Sequence, residues 1–411
     1  MNVGFSGSDE KRLLSGSHRT CSVQETLARI LPIKHRFGIS RVANVTGLDH
    51  IGLPVVIAVR PNARSIAISQ GKGRTLDHAK ASAVMEAIEI WHAEHIDLPV
   101  FFASVADLLA RHKFVDLDQL PITRERIPKH TERLHWVKSV ELNSGQEMLV
   151  PLEMVHADYT HPLPPGVGCF PSSTNGLASG NHILEAICHG ICEVIERDAL
   201  SVWHHASLET QKATRLALGS IDDALVEGVL QDFRNAGLEC GVWDVTSDIG
   251  VATFLCIVRE PGAESDHLGL GSGTHPDRAI ALQRALNEAA QTRLNYITGA
   301  REDLTIEEYG MFGRRQKSEA FAELFVDGPQ NHQFDRVPTR VNDNLKADLN
   351  WLKLNLLQAG IEQVAVVDLT RDEFKIPVVR VIIPGLEAPH DDDTYVLGAR
   401  AERAANGKQV G

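Results

Sequence analysis

TNGLASGNHILEAICHGICEVIERDA, residues 174–199, is the stretch whose reading decides the fold. It opens as a strand or turn that ends in a small-residue loop, then passes through a polar cap into a long apolar run. From Glu185 to Leu200, the residues Ala186, Ile187, Ile191, Val194, Ile195, Ala199 and Leu200 spread around much of a helix circumference. That distribution predicts a helix buried on more than one side. Yet Glu185, His189, Glu193 and Glu196 recur at i, i+4, i+8 and i+11, a single stripe. Three acids on one stripe repel one another, weakly in water and strongly if buried. A cation must compensate, either Arg197 next door or metal ions. Most such stripes are solvated faces; here the apolar belt leaves little room for a solvent side.

The layout occurs twice more, in SQGKGRTLDHAKASAVMEAIEIWHAEH (69–95) and GLGSGTHPDRAIALQRALNEAAQTRL (269–294). Aligning Gly73, Gly180 and Gly273 brings Ala79, Ala186 and Ala279 into register, and with them Glu86 with Glu193 and Glu89 with Glu196. The third copy shifts its polar residues to Glu288 and Gln291. Short Gly/Ala matches also arise by chance, so a shared structural unit and coincidence both stay open; no solenoid is implied. The first helix carries Ser82, Glu86 and Glu89 at i, i+4 and i+7, and the third aligns Arg284, Glu288, Gln291 and Asn295. Three such helices converging on one polar cavity would suit a hard cation such as Mg²⁺, which takes oxygen ligands and usually phosphates as well. Gly71-Lys72-Gly73 offers backbone N–H groups and an ammonium to those phosphates. GKG alone is weak evidence, because the Walker A pattern GxxxxGK[ST] is absent. Loops and stripes together predict a nucleotide site with Mg²⁺ between protein and phosphates.

Outward from these segments, SVQETLARILPI reads as a helix with Ser22 as N-cap and Glu25 completing a capping box. Residues 40–47, 52–61, LECGVWDVT, VATFLCIVRE, EQVAVVDLT and PVVRVIIPG read as strands, and IALQRALNEAAQTRLNYI and 345–358 as helices. The stretch from 102 to 165 mixes short strands with Pro-rich connections, and HADYTHPLPPGVG is expected to be irregular. Strands and helices interleave without a strict βαβ rhythm, so the expected fold class is α+β or α/β with mixed sheets, its helices converging on a central nucleotide site. The expected division is an N-terminal arm and α/β subdomain over 1–68, a catalytic core over 69–400 with motifs at 69–95, 174–204 and 269–303, and a flexible tail over 401–411. The first twenty residues are expected to be a mobile arm, or a loop that orders over a site.

Composition narrows the partners. The chain has 411 residues with 41 Lys+Arg against 54 Asp+Glu, a net charge of −13. An acidic surface is a poor general binder of nucleic acid or anionic membrane. No run approaches the roughly 18 to 20 apolar residues of a membrane span, and the polar start MNVGFSGSDEKR does not read as a signal peptide. Six cysteines without a CxxC pair point to reduced thiols and a cytoplasmic protein.

Rival chemistries are weaker. Glu89-x-x-His92 looks like half of a di-iron carboxylate site, but Glu132-x-x-His135 and Glu153-x-x-His156 share that spacing in non-helical surroundings, so chance explains it. Cys188, His189 and Cys192 lack the second ligand pair of a zinc site, and buried thiols explain them better. No GxSxG or comparable nucleophile signature occurs. His92-Ala93-Glu94-His95 is most simply the polar end of a helix.

At SQGKG…ASAVMEAIE (69–89), TNGLASGNHILEAICHGICEVIERDA (174–199), RALNEAAQTRL (284–294) and GARED (299–303) the chain resembles the YcaO family, in order and over essentially its whole length. The resemblance implies a YcaO-type fold and ATP-dependent activation of a peptide backbone amide: the amide oxygen is phosphorylated, and a nucleophile displaces phosphate from the amide carbon. It implies ATP and Mg²⁺ as cofactors. Glu86, Glu89, Glu185, Glu193 and Glu196 would organise Mg²⁺ and phosphates, and Arg197 would face the nucleotide phosphates. Glu193, Glu196 and Arg197 are thereby the catalytic candidates. Lys72, Ser82, Glu288 and Gln291 would line the nucleotide pocket with Glu86, Glu185 and Arg197. The logic is sound, because phosphorylation turns a poor leaving oxygen into phosphate while Mg²⁺ and Arg offset the charge.

The chain departs from the family's pattern in places. Glu89-Ile90 stands where many relatives have Glu-Arg, and Arg19 of SGSHRT would replace that cation if the arm folds inward. The end of this sequence shows no PxPxP, and a fused leader-binding domain is not expected, unlike in azoline-forming members. EAIEIWHAEH and VRPNARSIAISQGKG look most like members that work with TfuA-type partners and form thioamides. The expected function is therefore thioamidation of a peptide or protein, with a sulfide equivalent supplied by or through a TfuA-like partner or another sulfur donor. The alternatives are an azoline-forming cyclodehydratase acting on Cys, Ser or Thr, and a non-catalytic nucleotide-binding scaffold. A homodimer is expected. His18, His189 and His204 are candidates for the general base, though each is more often structural.

Overall fold

A computed structural model describes residues 8–12, 16–109, 111–162, 167–261, 268–301, 304–326, 332–390 and 394–407. Parts of the N-terminal arm, the PLPPGVG stretch, GARED and the last four residues therefore lie outside the described residues. Numbered along the chain, the helices are α1 (Val23–Ile30), α2 (Leu76–Glu94), α3 (Val105–Leu108), α4 (Ile183–His204), α5 (Leu208–Ala213), α6 (Ala224–Asn235), α7 (Arg278–Thr298), α8 (Ile306–Tyr309), α9 (Met311–Phe325), α10 (Leu345–Gln358) and α11 (Ala399–Ala405). The strands are β1 (Arg41–Asn44), β2 (Val55–Val59), β3 (Ile68–Lys72), β4 (Phe101–Ser104), β5 (Arg133–Glu141), β6 (Glu147–Pro151), β7 (Leu177–Ser179), β8 (Glu239–Asp244), β9 (Thr253–Arg259), β10 (Gly269–Thr274), β11 (Ala365–Asp368) and β12 (Val378–Ile382). The mixture of helices and sheets is the expected α+β class, although among the described residues every strand pair in the named sheets is antiparallel, so the sheets are not mixed as expected.

The chain divides into two compact units, and neither follows a cut at residue 68. One comprises Arg12–Ala87 and Ala206–Val341, the other Met1–Lys11, Ile88–His205 and Asn342–Gly411. Residue 68 is no boundary because β3 pairs with β2 across it, Ile68 opposite Val59 and Lys72 opposite Val55.

The first unit holds two antiparallel three-stranded sheets, β1-β2-β3 and β10-β9-β8. Its core runs from Val226, Val229 and Phe233 of α6 through Phe254 and Val258 of β9 to Ala281, Ala285 and Ala289 of α7. Glycine sets how closely strand and helix approach. A Cβ on Gly71 would lie 2.1 Å from Ala79 O and Ala83 N, and one on Gly271 would lie 2.2 Å from Ala285 O. These helices therefore rest backbone to backbone on their preceding strands, which is why the Gly/Ala pattern recurs. The capping box of α1 forms as expected, with Ser22 Oγ accepting from Glu25 N–H and Glu25 accepting from Ser22 N–H.

The second unit is built on a sheet ordered β4-β5-β11-β12-β7, with β6 also on β5. Helix α4 packs on β12 and β7, where a Cβ on Gly190 would lie 2.6 Å from Val381 Cγ2. Two expectations fail here. The C-terminal segment is not a frayed tail through its length, because α11 forms and buries Arg400 and Ala401. The end of α2 is not simply polar: His92 and Glu94 are buried, and burial pushes the His92 imidazole down to about 4. Among the described residues, no cysteine is in a disulfide, and no helix is long and apolar enough to cross a membrane.

Candidate functional site

The candidate residues fall in both units. In the first, Lys72 ends β3, Ser82 and Glu86 lie half-buried on α2, and Glu288 and Gln291 lie on α7. Lys72 Nζ forms a hydrogen-bonded ion pair with Glu288 Oε2. Gln70 N–H donates to Glu86 Oε1 at 3.4 Å, and Gln291 Nε2 donates to the Gln70 carbonyl at 3.5 Å. Four of these expected residues, Lys72, Glu86, Glu288 and Gln291, are thus linked through the end of β3. Ser82 stands outside this hydrogen-bonded set.

Sequence reasoning missed Gln70 and Asn287 there. Gln70 is 3% exposed, and both ends of its amide are without a hydrogen-bond partner, as are Asn287 Oδ1, Gln291 Oε1 and Asn295 Oδ1. Asn287, Gln291 and Asn295 recur every four residues along one face of α7. Buried amides are normally satisfied, so a row of unsatisfied ones beside an ammonium marks a surface that a polar ligand completes. Amides and Lys72 suit the base, ribose and phosphates of a nucleotide, and ATP fits this donor set.

The arm does fold onto this unit. His18 is buried with Nε2 3.9 Å from Asp277 Oδ2, and its ring stands edge-on to His275. Burial lowers the His78 pKa at the start of α2, and the Arg19 guanidinium adds to that shift. Arg19 therefore lies near the loop that follows Lys72. His18 thus packs against His275 and Asp277.

In the second unit, Glu185 and Glu196 of α4 are 3% and 5% exposed, while Glu193 and Arg197 are half-buried. The stripe is not a solvated face. Glu185 Oε2 accepts from Asn181 N–H at 2.8 Å, at the start of its own helix, where the dipole favours an anion. Glu89 Oε1 accepts from Ser179 N–H at 2.8 Å and Ser179 Oγ–H at 2.6 Å, holding the end of α2 against β7. Arg197 Nη1 lies 3.9 Å from Glu196 Oε1. His189 is half-buried, and exposed His204 stacks on His390 at 4.4 Å.

Among the described residues, no group of three or more His, Cys, Asp or Glu side chains is gathered so as to hold a metal ion. The expected Glu ligands are thus not gathered three or more together. Their chemistry still fits Mg²⁺, which is usually held by one or two carboxylates together with substrate phosphates and water.

Residues 70–387 match the model of the YcaO family, described as YcaO cyclodehydratase, ATP- and Mg²⁺-binding. A protein of Rhizobium leguminosarum bv. trifolii, described as an uncharacterized protein in the tfuA 3′ region, is 34% identical over 405 residues, 95% of this chain and 94% of its own. The structure of YcaO from Methanopyrus kandleri bound with AMPPCP and Mg²⁺ is similar with a TM-score of 0.74 at 21% identity, covering 95% of this chain and 98% of that one. A heterocyclase in complex with substrate and cofactor is similar with a TM-score of 0.76 at 23% identity, covering 93% of this chain and 54% of its own. This chain spans about half the length of that heterocyclase. The two structural likenesses establish a shared fold.

Proposed function

The chain belongs to the YcaO family, whose cofactors are ATP and Mg²⁺, and from that premise we propose that it activates a peptide backbone amide for replacement of its oxygen by sulfur. In this reading the amide oxygen attacks the γ-phosphorus, an O–P bond forms and ADP leaves. Hydrosulfide or its equivalent then adds to the amide carbon, the C–O bond breaks, and phosphate departs with the oxygen to leave a thioamide. ATP would supply the phosphoryl group, and Mg²⁺ would offset its charge, with Glu86, Glu89, Glu185, Glu193 and Glu196 the candidate carboxylates to hold it. Lys72, Gln70 and Gln291 would orient the nucleotide, and Arg197 would be the cation for phosphates that the family motif implies. Burial of Glu185 and Glu196 keeps their charges in a low dielectric, where they act strongly on whatever cation they meet.

The observation that carries the ATP-dependent reading is the row of unsatisfied buried amides beside Lys72 and Glu288. Sulfur as the nucleophile is supported by the relative in the tfuA 3′ region, which is similar along nearly the whole chain. A TfuA-type protein is the partner that would deliver it. The test is to incubate the chain with ATP, Mg²⁺, sulfide and a short peptide encoded beside its gene, and to weigh the peptide. Exchange of oxygen for sulfur is the expected mass change; loss of one water would mean cyclodehydration instead. Equal phosphate release by wild type and Glu193→Gln would defeat the catalytic assignment and favour a scaffold.

A further inference from the structure

Ser179, the last residue of β7, is 4% exposed, and its two donors meet at one atom. Its N–H donates to Glu89 Oε1 at 2.8 Å, and its Oγ–H donates to the same oxygen at 2.6 Å. Both lengths match charge-assisted bonds to an ionised carboxylate. The N–H alone would seat the end of α2 on β7, so a tie between those elements needs no hydroxyl. The hydroxyl adds a second donor at a separate position on the same oxygen, and two such donors fix how the carboxylate is turned.

The hold belongs to a short turn. Two residues on, Asn181 N–H donates to Glu185 Oε2 at 2.8 Å. Ser179–Gly180–Asn181 therefore takes hold of one carboxylate from α2 and one from α4. Gly180 is required between them by crowding, since a Cβ there would lie 2.6 Å from Glu185 Cβ and 2.9 Å from Ala186 N. The sheet fixes the turn in its place: Ser179 pairs with Val378 of β12, and Gly180 N–H donates to Pro377 O at 3.1 Å. Both glutamates are thus oriented from a strand end rather than from a loop that can drift.

Mg²⁺ demands near-octahedral geometry and is usually held by one or two carboxylates together with phosphates and water. A side chain that orients such a ligand from behind is worth about 10- to 100-fold in metal affinity. We propose that Ser179 is a positioning residue for the Mg²⁺ of the proposed reaction: its hydroxyl holds Glu89 Oε1 so that the carboxylate meets the ion in one orientation. Asn181 N–H does the same for Glu185 through the backbone, which leaves Ser179 Oγ as the side-chain part of the device. The inference rests on the proposed reading of Glu89 as a Mg²⁺ ligand, and Ser179 acts only through that carboxylate.

The experiment uses the full-length protein with AMPPCP and with Mn²⁺ in place of Mg²⁺, reading bound Mn²⁺ by electron paramagnetic resonance. Wild type should retain the ion in the presence of the nucleotide analogue. Ser179→Ala, which keeps the backbone bond to Glu89, should stay folded and raise the Kd for Mn²⁺ about tenfold. Ser179→Cys, close in size but a weaker donor, should fall between wild type and Ser179→Ala, and it carries the test if the alanine variant does not fold. Glu89→Gln should weaken Mn²⁺ binding at least as much, and adding Ser179→Ala to it should change the Kd by less than about twofold. Unchanged Mn²⁺ binding in folded Ser179 variants would overturn the proposal and leave the ATP-dependent reading intact. Additive losses in the double variant would also overturn it, because the hydroxyl would then not act through Glu89. A wild type that holds no Mn²⁺ beside the nucleotide would overturn the proposal together with the Mg²⁺ reading. Mn²⁺ binding as expected, with no sulfur gained by a peptide, would leave Ser179 in its role and remove only the sulfur chemistry.

Discussion

Removing Arg400 should make the protein's stability depend on pH in a way the wild type does not. Asp198 of α4 is completely buried and paired with Arg400 of α11, Nε to Oδ1 at 2.8 Å and Nη2 to Oδ2 at 3.0 Å. Glu387 N–H also donates to Asp198 Oδ1, and the Glu387 carboxylate accepts from the N–H groups of Gly398, Arg400 and Ala401 and from Tyr395 Oη–H. Burial dominates Asp198 and raises its pKa from 3.8 to about 6, with Arg400 pulling it down and the Glu387 charge adding to the rise. A folded pKa above the unfolded one means that the native state holds a proton the unfolded state releases. The contribution is therefore fully present below about pH 4 and is lost as pH rises to about 6, a difference of about 3 kcal/mol, beyond which the wild type levels off. In Arg400→Met the attraction is gone and the pKa rises further, so the variant keeps losing stability above about pH 6. By about pH 8 this adds up to about 3 kcal/mol to its deficit, whereas at about pH 5 both proteins hold Asp198 protonated and differ only by the lost hydrogen bonds. Urea unfolding of both proteins at those two pH values measures the gap. A gap equal at the two, or narrower at the higher pH, would refute the reasoning. Asp198→Asn added to Arg400→Met should erase the pH dependence.

Gly71→Ala should cost about 3 kcal/mol or more, because its Cβ would meet Ala79 O and Ala83 N at 2.1 Å and only a backbone shift relieves that; Gly47→Ala, with nothing within 4 Å, is the control in thermal melts. Lys72→Met breaks the pair with Glu288, which is a quarter exposed and worth less than about 1 kcal/mol to stability. If Lys72 orients ATP, its loss instead raises KM for ATP at least about tenfold in a phosphate-release assay, and an unchanged KM would remove it from the site. Glu89→Gln keeps an acceptor for Ser179 but loses the charge, so the Mg²⁺ concentration for half-maximal phosphate release should rise several-fold while the melt moves little. An unshifted Mg²⁺ titration would make Glu89 purely structural.

Local signals carried most of the fold. The Ser22/Glu25 capping box needs only a four-residue window to form. The continuous apolar run in VATFLCIVRE, bounded by turn signals, reads as a strand covered on both faces, and β9 is buried from Thr253 through Val258. GLGSGT reads as strand or turn, because glycine is depleted from strands. It is β10, and each of its glycines faces the α7 backbone closely enough that a Cβ would collide. The reason for the strand thus lies in a helix that begins several residues later. The expected tail over 401–411 misleads for a related reason: an Ala- and Arg-rich end reads as flexible until Arg400, just before it, finds a partner 202 positions back.

The candidate site divides along the same line. Helical periodicity exposed the α4 and α7 stripes, because residues three or four apart share a face wherever the helix lies. Periodicity says nothing of burial, and only burial separates Glu185 and Glu196 from a solvated face. Arg380 was hidden within PVVRVIIPG, which the β-branched run makes a strand without saying that its one charge points into the protein. Asn175 was equally silent, since an asparagine before glycine reads as turn chemistry. Both lie where the β7–β12 register joins segments far apart in sequence, and each keeps a buried polar atom without a hydrogen-bond partner. Long-range pairing of this kind has no local period to betray it, so it is what a linear reading reaches last.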